Sequence, residues 1–190
     1  NQKTIQVNGQ HYQAKSFILA VGSQPTINQD WKRDIGDRLL TSDQIFEIPT
    51  LPESLAVIGS GVIAIELAQA MHRLGVETTI FARSRKVGSL SSPNLQALAV
   101  DVLSQELNIK FEVLPEQVKL ENNKVKIAFK EDNVLKEIEV DYILNATGRK
   151  SLLSTLKLEN IEPVFQNIDH LPIHPETNQL ADYPIFVAGD

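Results

Sequence analysis

The chain has 190 residues, 42% of them hydrophobic and 22% charged, with a formal net charge of −6. That length is ample for a buried core in one or two domains, and the acid excess argues against nucleic acid or an anionic membrane as partner. There is no cysteine, which excludes a disulfide framework and a thiolate zinc site. No apolar run approaches the roughly 20 residues of a membrane-spanning helix.

Taken in order, residues 1–25 read as a hairpin and a buried strand. Thr4–Val7 alternates, Asn8-Gly9 signals a type I′ turn, Gln10–Ala14 returns, and Phe17–Val21 is a short apolar run broken by Gly22-Ser23-Gln24-Pro25. Residues 26–54 look like a linker with one anchored aromatic, Trp31. Thr41-Ser42-Asp43 is set to cap a short helix that holds Ile45 and Phe46. Pro49 and Pro52 bracket a boundary near Pro49–Ser54.

The most informative stretch follows. Leu55–Ile58 is an apolar run of strand type, then come Gly59-Ser60-Gly61 and the small Ala64. A helical pattern puts Ile63, Leu67, Ala70, Met71 and Leu74 on one face, with Gly75 closing it. A second strand, Val76–Ala82, ends in Arg83-Ser84-Arg85-Lys86. Strand, glycine turn, helix and strand make a βαβ unit with a dinucleotide fingerprint at its first turn. Gly59 permits the tight turn, Gly61 lets backbone approach a pyrophosphate, and Ala64 lets the helix pack closely. The helix start, Val62-Ile63, offers unpaired N–H groups and a positive dipole end to phosphate.

An NAD site usually presents Asp or Glu at the end of that second strand to bond the ribose 2′-hydroxyl. Here Ala82 stands there, and no acid occurs from Thr78 through Val100. Glu77 lies at the wrong end of the strand. The cations Arg83 and Arg85 suit a 2′-phosphate, so NADP is expected in preference to NAD.

Ser92-Pro93 opens a second helix with a stripe of Leu95, Leu98, Ala99, Val102, Leu103 and Leu107 expected to pack on the sheet, and Asn108 as its cap. Ile109, Phe111 and Val113 alternate as a third parallel strand. Gln117–Glu121, Lys124–Lys130 and Val134–Val140 read as an antiparallel meander inserted before the last core strand, Tyr142–Ala146. Thr147-Gly148-Arg149 then falls at the carboxyl edge, where open α/β sheets bind ligands. Residues 150–184 are irregular, with Leu152, Leu153, Leu156 and Leu158 forming a short helix and its exit. An apolar strand, Ile185–Ala188, runs into Gly189-Asp190. His170 and His174 are four apart, but Pro172 between them argues against a helical metal pair, and no metal site is expected.

GSGVIAIELA, TGRK and IFVAGD, in that order, with AVGSQP and TSDQIFEIP ahead of them, resemble the pyridine nucleotide–disulfide oxidoreductases: the dihydrolipoamide dehydrogenase, glutathione reductase and mercuric reductase group. The resemblance implies a Rossmann-like α/β fold whose parallel sheet carries the antiparallel meander, flanked by partial pieces of an FAD domain. It divides the chain into residues 1–49 (end of the first FAD segment plus linker), 50–149 (NAD(P) domain) and 150–190 (a truncated return into the FAD domain). It also implies contacts of Ala20, Gly22 and Asp190 with FAD. Val21 departs from the usual Thr. By the same resemblance Glu66 lies near the nicotinamide, Arg83 and Ser84 meet the 2′-phosphate, and Thr147, Gly148 and Arg149 cover the dinucleotide.

The resemblance further implies that the intact protein passes hydride between NAD(P)H, FAD and a dithiol or disulfide. A dihydrolipoamide dehydrogenase-like enzyme is the first reading. An NADPH-dependent glutathione or mercuric reductase-like enzyme, or a non-catalytic nucleotide-binding module, is the alternative. The family's redox Cys-x₄-Cys and His-Glu pairs do not occur in these residues, so this chain is expected to bind dinucleotide without turnover. The chain begins at Asn1 and ends at Asp190 within a strand-like run, and reads as an excised segment. A disulfide substrate for the intact protein, a cytoplasmic location and a homodimeric assembly complete the expectations.

Overall fold

The computed structural model describes residues 4–189. The strands are β1 (Thr4–Val7), β2 (Gln10–Gln13), β3 (Phe17–Leu19), β4 (Ser23–Pro25), β5 (Leu39–Leu40), β6 (Ser54–Ile58), β7 (Glu77–Ala82), β8 (Asn108–Phe111), β9 (Pro115–Glu121), β10 (Lys124–Glu131), β11 (Val134–Val140), β12 (Tyr142–Asn145), β13 (Arg149–Ser151) and β14 (Ile185–Val187). The α-helices are α1 (Gln29–Ile35), α2 (Val62–Arg73) and α3 (Pro93–Glu106). The chain forms two compact units, Pro25–Gly148 on one hand and Asn1–Gln24 with Arg149–Asp190 on the other.

The Pro25–Gly148 unit is built on a parallel sheet of order β5-β12-β6-β7-β8. Its strands bury alternate residues on opposite faces, the period-2 rule for a sheet covered on both sides. On one face Leu55, Val57, Ile80 and Leu144 meet Ala64, Ala68 and Met71 of α2 and Leu103 of α3. On the other, Ala56, Ile58, Phe81 and Ile143 meet Val118, Val125, Ile127 and Phe129 of the antiparallel sheet β11-β10-β9, with Ile35 of α1. The rings of Phe81 and Phe129 touch edge to face at 5.1 Å between centroids. The unit is therefore three-layered: helices, parallel sheet, meander.

Several local expectations shift. Residues 26–48 are not a linker. Asn28 caps α1 by accepting the Trp31 N–H at 3.1 Å, and Trp31 packs against the core. Leu39–Leu40 adds an edge strand to the parallel sheet beside β12. A seven-residue helix and a two-residue strand are too short for periodicity to declare. Thr41 Oγ1 accepts the Gln44 N–H at 3.3 Å, but the element that follows is a 3₁₀ turn whose N-cap is Asp43, without a side-chain cap bond, and it leaves Ile45 buried and Phe46 exposed.

The apolar faces of both long helices are also corrected. On α2 the buried residues are Ala64, Ala68 and Met71, while Ile63 and Leu74 are exposed. The helix rides close on the sheet, so its small residues face inward and larger ones turn away. Gly75 (φ +91°) ends α2 in a Schellman arrangement, with Gly75 N–H on the His72 carbonyl and Val76 N–H on the Met71 carbonyl. On α3 Gln96 and Val100 are buried, and Leu95, Leu98 and Val102 are exposed. Gln96 is held inside because its Nε2 donates to the Val87 carbonyl at 3.1 Å. Asn108 opens β8 instead of capping α3.

In the other unit β1 and β2 form the expected hairpin, with Asn8 (φ +50°) and Gly9 (φ +81°) in its turn. β3 pairs in parallel with β14, Phe17 opposite Ile185. Leu158, Phe165 and Leu180 form its core, joined by Leu19, Tyr183 and Ile185. The Tyr183 hydroxyl donates to a Glu162 carboxylate oxygen. Residues 152–170 contain four 3₁₀ turns.

Candidate functional site

From β6 the chain moves outward through α2 to β7 and through α3 to β8, then returns by the meander to β12 on the other side of β6. The strand order thus reverses between β6 and β12. The carboxyl ends of strands flanking such a reversal enclose a crevice. A cleft of about 430 Å³ lies there, lined by Ile58, Gly59, Ser60, Gly61, Phe81, Arg83, Ser84, Leu114, Ala146, Thr147 and Gly148.

Each wall has a local cause. Gly59 adopts φ +117°, and a Cβ on it would stand 2.5 Å from the Ala146 carbonyl oxygen. The Gly59 N–H donates to the Phe81 carbonyl and the Ala146 N–H to the Ile58 carbonyl, both at 2.9 Å. Three adjacent strand ends are thereby stitched together beneath the turn. Gly61 differs: its φ is −68° and a Cβ would meet nothing within 4 Å. It is the N-cap of α2, with no side chain capping the helix. The first N–H groups of α2 lack intrahelical partners and carry the positive end of its dipole.

The basic cluster is split. Arg83 and Ser84 line this cleft. Arg85 instead lies over the Phe111 ring at 5.2 Å and, with Lys86, borders a separate depression of about 350 Å³ beside α3. Glu66 is exposed on α2 and Val62 and Ile63 sit in its first turn. None of these three is among the residues lining the cleft.

Arg149 belongs to the smaller unit, where its guanidinium donates to the Ser23 hydroxyl and carbonyl, each at 2.9 Å. In that unit Gly22 has φ +70° and its carbonyl accepts the Leu152 N–H, while Ala188 N–H donates to the Leu19 carbonyl next to Ala20. Asp190 lies outside the described residues. Phe81, Leu114 and Ala146 are cleft residues that sequence reasoning did not single out; all stand at carboxyl ends of core strands or just beyond them, which is the signal that finds them.

A doubly covered parallel sheet with a glycine turn at its switch point is a Rossmann-like α/β fold. The chain belongs to the pyridine nucleotide-disulphide oxidoreductase family, whose model matches residues 1–190. It is 37% identical over 161 residues to a mercuric reductase of Staphylococcus aureus, covering 84% of this chain and 29% of that protein. It is 31% identical to a glutathione reductase of Yarrowia lipolytica (80% and 32% covered) and 28% identical to a dihydrolipoyl dehydrogenase of Bacillus subtilis (93% and 37%). The chain therefore spans about a third of the length of these relatives. In fold it is similar to LpdA from Mycobacterium tuberculosis, with a TM-score of 0.74 at 21% identity over 95% of this chain and 39% of that one. It is also similar to the flavoprotein disulfide reductase RclA from Escherichia coli, at a TM-score of 0.70 and 16% identity over 98% and 42% of the chains. Among the described residues no helix is long and apolar enough to cross a membrane.

Proposed function

We propose that the Pro25–Gly148 unit binds NADP(H), with NAD(H) the poorer ligand. The observation that carries this reading is the placement of Arg83 and Ser84 in the same cleft as the Gly59–Gly61 turn, one strand over. The backbone N–H groups from Gly61 through Ile63 hold the pyrophosphate. Arg83, always charged and able to donate two parallel hydrogen bonds, holds the 2′-phosphate with the Ser84 hydroxyl beside it. Ala82 offers no carboxylate to compete for the ribose. Thr147 and Gly148 close the far wall, and Phe81 and Leu114 exclude water from its floor. Arg85 supplies long-range positive potential only, and Glu66 comes near the nicotinamide in the intact protein.

In the intact protein we place FAD against Ala20, Gly22 and Asp190. That protein is read as a flavin-dependent disulfide oxidoreductase. When bound, the nicotinamide carries the hydride that such an enzyme exchanges with flavin and a dithiol or disulfide. What this chain does is orient the dinucleotide and neutralise its phosphates. By itself it is expected to bind without turnover.

Within the family, a dihydrolipoamide dehydrogenase-like enzyme and an NADPH-dependent mercuric or glutathione reductase-like enzyme are the two readings. The cationic end of β7 and the 37% and 33% identities to mercuric reductases favour the second. Calorimetric titration of the chain with NADPH and NADH tests the nucleotide assignment. NADPH is expected to bind at least about tenfold tighter; equal affinities, or no binding of either, would refute it. Assay of the intact protein with lipoamide, glutathione disulfide and Hg²⁺ decides the substrate.

A further inference from the structure

At the end of β12 stands a polar side chain that the dinucleotide reading does not use. Asn145 is only 3% exposed and ends an otherwise apolar strand, beside Ile58 in the register. A buried amide is costly unless both its ends are bonded. Its Nδ2 donates to the Thr26 carbonyl at 2.8 Å. A backbone carbonyl can only accept, so the amide nitrogen must face Thr26 and Oδ1 must face the other way. There it meets the Thr147 hydroxyl at 3.0 Å. An amide oxygen also only accepts, so Thr147 must donate. The same Thr26 donates its own N–H to the Gly148 carbonyl at 2.9 Å, fixing the loop that carries Thr147.

A hydroxyl has one proton and two lone pairs. With its proton committed to Asn145, Thr147 can offer the cleft lone pairs alone. We propose that Asn145 is a positioning residue that makes Thr147 a hydrogen-bond acceptor, so that Thr147 meets a donor group of the ligand (a ribose hydroxyl or the carboxamide) and turns the phosphates away. This rests on the dinucleotide reading. It assigns polarity to one wall of the cleft: the glycine turn donates to anions, and the Thr147 wall accepts from neutral donors.

The test is titration of the 190-residue chain and its variants with NADPH and, separately, with inorganic pyrophosphate. Thr147→Val is expected to weaken NADPH about fivefold, the worth of one neutral hydrogen bond, and Thr147→Ser to restore it. Pyrophosphate affinity is expected to stay unchanged in both. Asn145→Val, checked for native circular dichroism, is expected to weaken NADPH by a similar factor, and the double variant to be no weaker than Thr147→Val alone. A purely structural Asn145 would give additive losses instead. The assignment is overturned if Thr147→Val leaves NADPH affinity intact, if it weakens pyrophosphate as much as NADPH, or if the two substitutions add. Should Asn145→Val not fold, Thr147→Val and Thr147→Ser still decide, because Thr147 is exposed. If the unmutated chain binds neither probe, the dinucleotide reading itself falls, a result distinct from loss in the variants alone.

Discussion

A methyl group on Gly59 would stand 2.5 Å from the carbonyl oxygen of Ala146, far inside van der Waals contact with a backbone atom that cannot move aside. The N–H of the same Ala146 donates to the Ile58 carbonyl at 2.9 Å in the strand-end ladder joining β6 and β12. Gly59 also holds φ +117°, which an L side chain rarely adopts. Gly59→Ala should therefore destabilise the unit by about 2 kcal/mol or more, through strain and separation of the two strand ends. Gly61→Ala makes the contrast. Its backbone is extended and its surroundings are open, so stability should change by less than about 0.5 kcal/mol. NADPH affinity should still fall at least about tenfold, because the new methyl occupies the phosphate approach. Melting curves and titrations on the two variants separate the roles. Equal melting temperatures would show that the first glycine is not structural.

Arg83 and Arg85 are two residues apart but face different surroundings. Arg83 lines the cleft, while Arg85 lies over Phe111. Arg83→Ala should remove most of the preference for NADPH over NADH, a loss of about tenfold to hundredfold in NADPH affinity at low salt. Arg85→Ala should change it by less than about threefold, the effect of a screened charge at a distance. Titration of both variants at two salt concentrations checks the split. A larger loss at Arg85 than at Arg83 would reverse the assignment.

The sequence was most legible where local chemistry is strict. The glycine turn, the three meander strands and the Asn8-Gly9 hairpin follow from residue types that tolerate few alternatives, and their boundaries agree with the structure to within one or two residues. It was least legible where tertiary packing chose between equivalent options. α3 carries apolar residues around more than half its circumference, so periodicity alone could not tell the Leu95–Leu98–Val102 side from the Val100–Leu103 side. The edge strand β5 has two residues and no period. Within the basic cluster, the three cations Arg83, Arg85 and Lys86 read alike until the position of Phe111 shows that Arg85 turns from the cleft while Arg83 lines it. Asn145 looked like one more strand residue because its partners, Thr26 and Thr147, lie 119 and 2 positions away.

The corrected orientation of α3 has its own consequence. Leu98 is 59% exposed and Val100 is 2% exposed. Leu98→Gln should shift stability by less than about 0.5 kcal/mol, whereas Val100→Ala should cost about 2 kcal/mol by opening a void at a buried position. Urea unfolding measures both. A larger loss at Leu98 would mean that the apolar stripe is covered in solution.

Asp141 ties the meander to the parallel sheet, and its protonation should be felt as stability. Its Oδ2 accepts the N–H groups of Glu53 and Ser54, each at 3.0 Å, and the Ser54 hydroxyl at 3.2 Å. Its Oδ1 pairs with the Lys124 ammonium at 2.7 Å. Burial by itself raises the carboxyl pKa, but the Lys124 ammonium and the Ser54 donors outweigh it and hold the group below its ordinary 3.8. A carboxylate held below its unfolded pKa contributes stability that is fully present above that value and is lost as pH falls through the folded one. Asp141→Asn keeps the size but removes the charge, leaves Lys124 without this partner and presents an amide that can reverse only at the expense of the backbone donors. It should cost about 1–2 kcal/mol at neutral pH. The gap between variant and parent should narrow as pH drops below about 4, where the parent's own carboxylate protonates. Urea midpoints taken from pH 7 to pH 2.5 give the answer, and a gap independent of pH would show that the contribution of Asp141 comes from shape and not from charge.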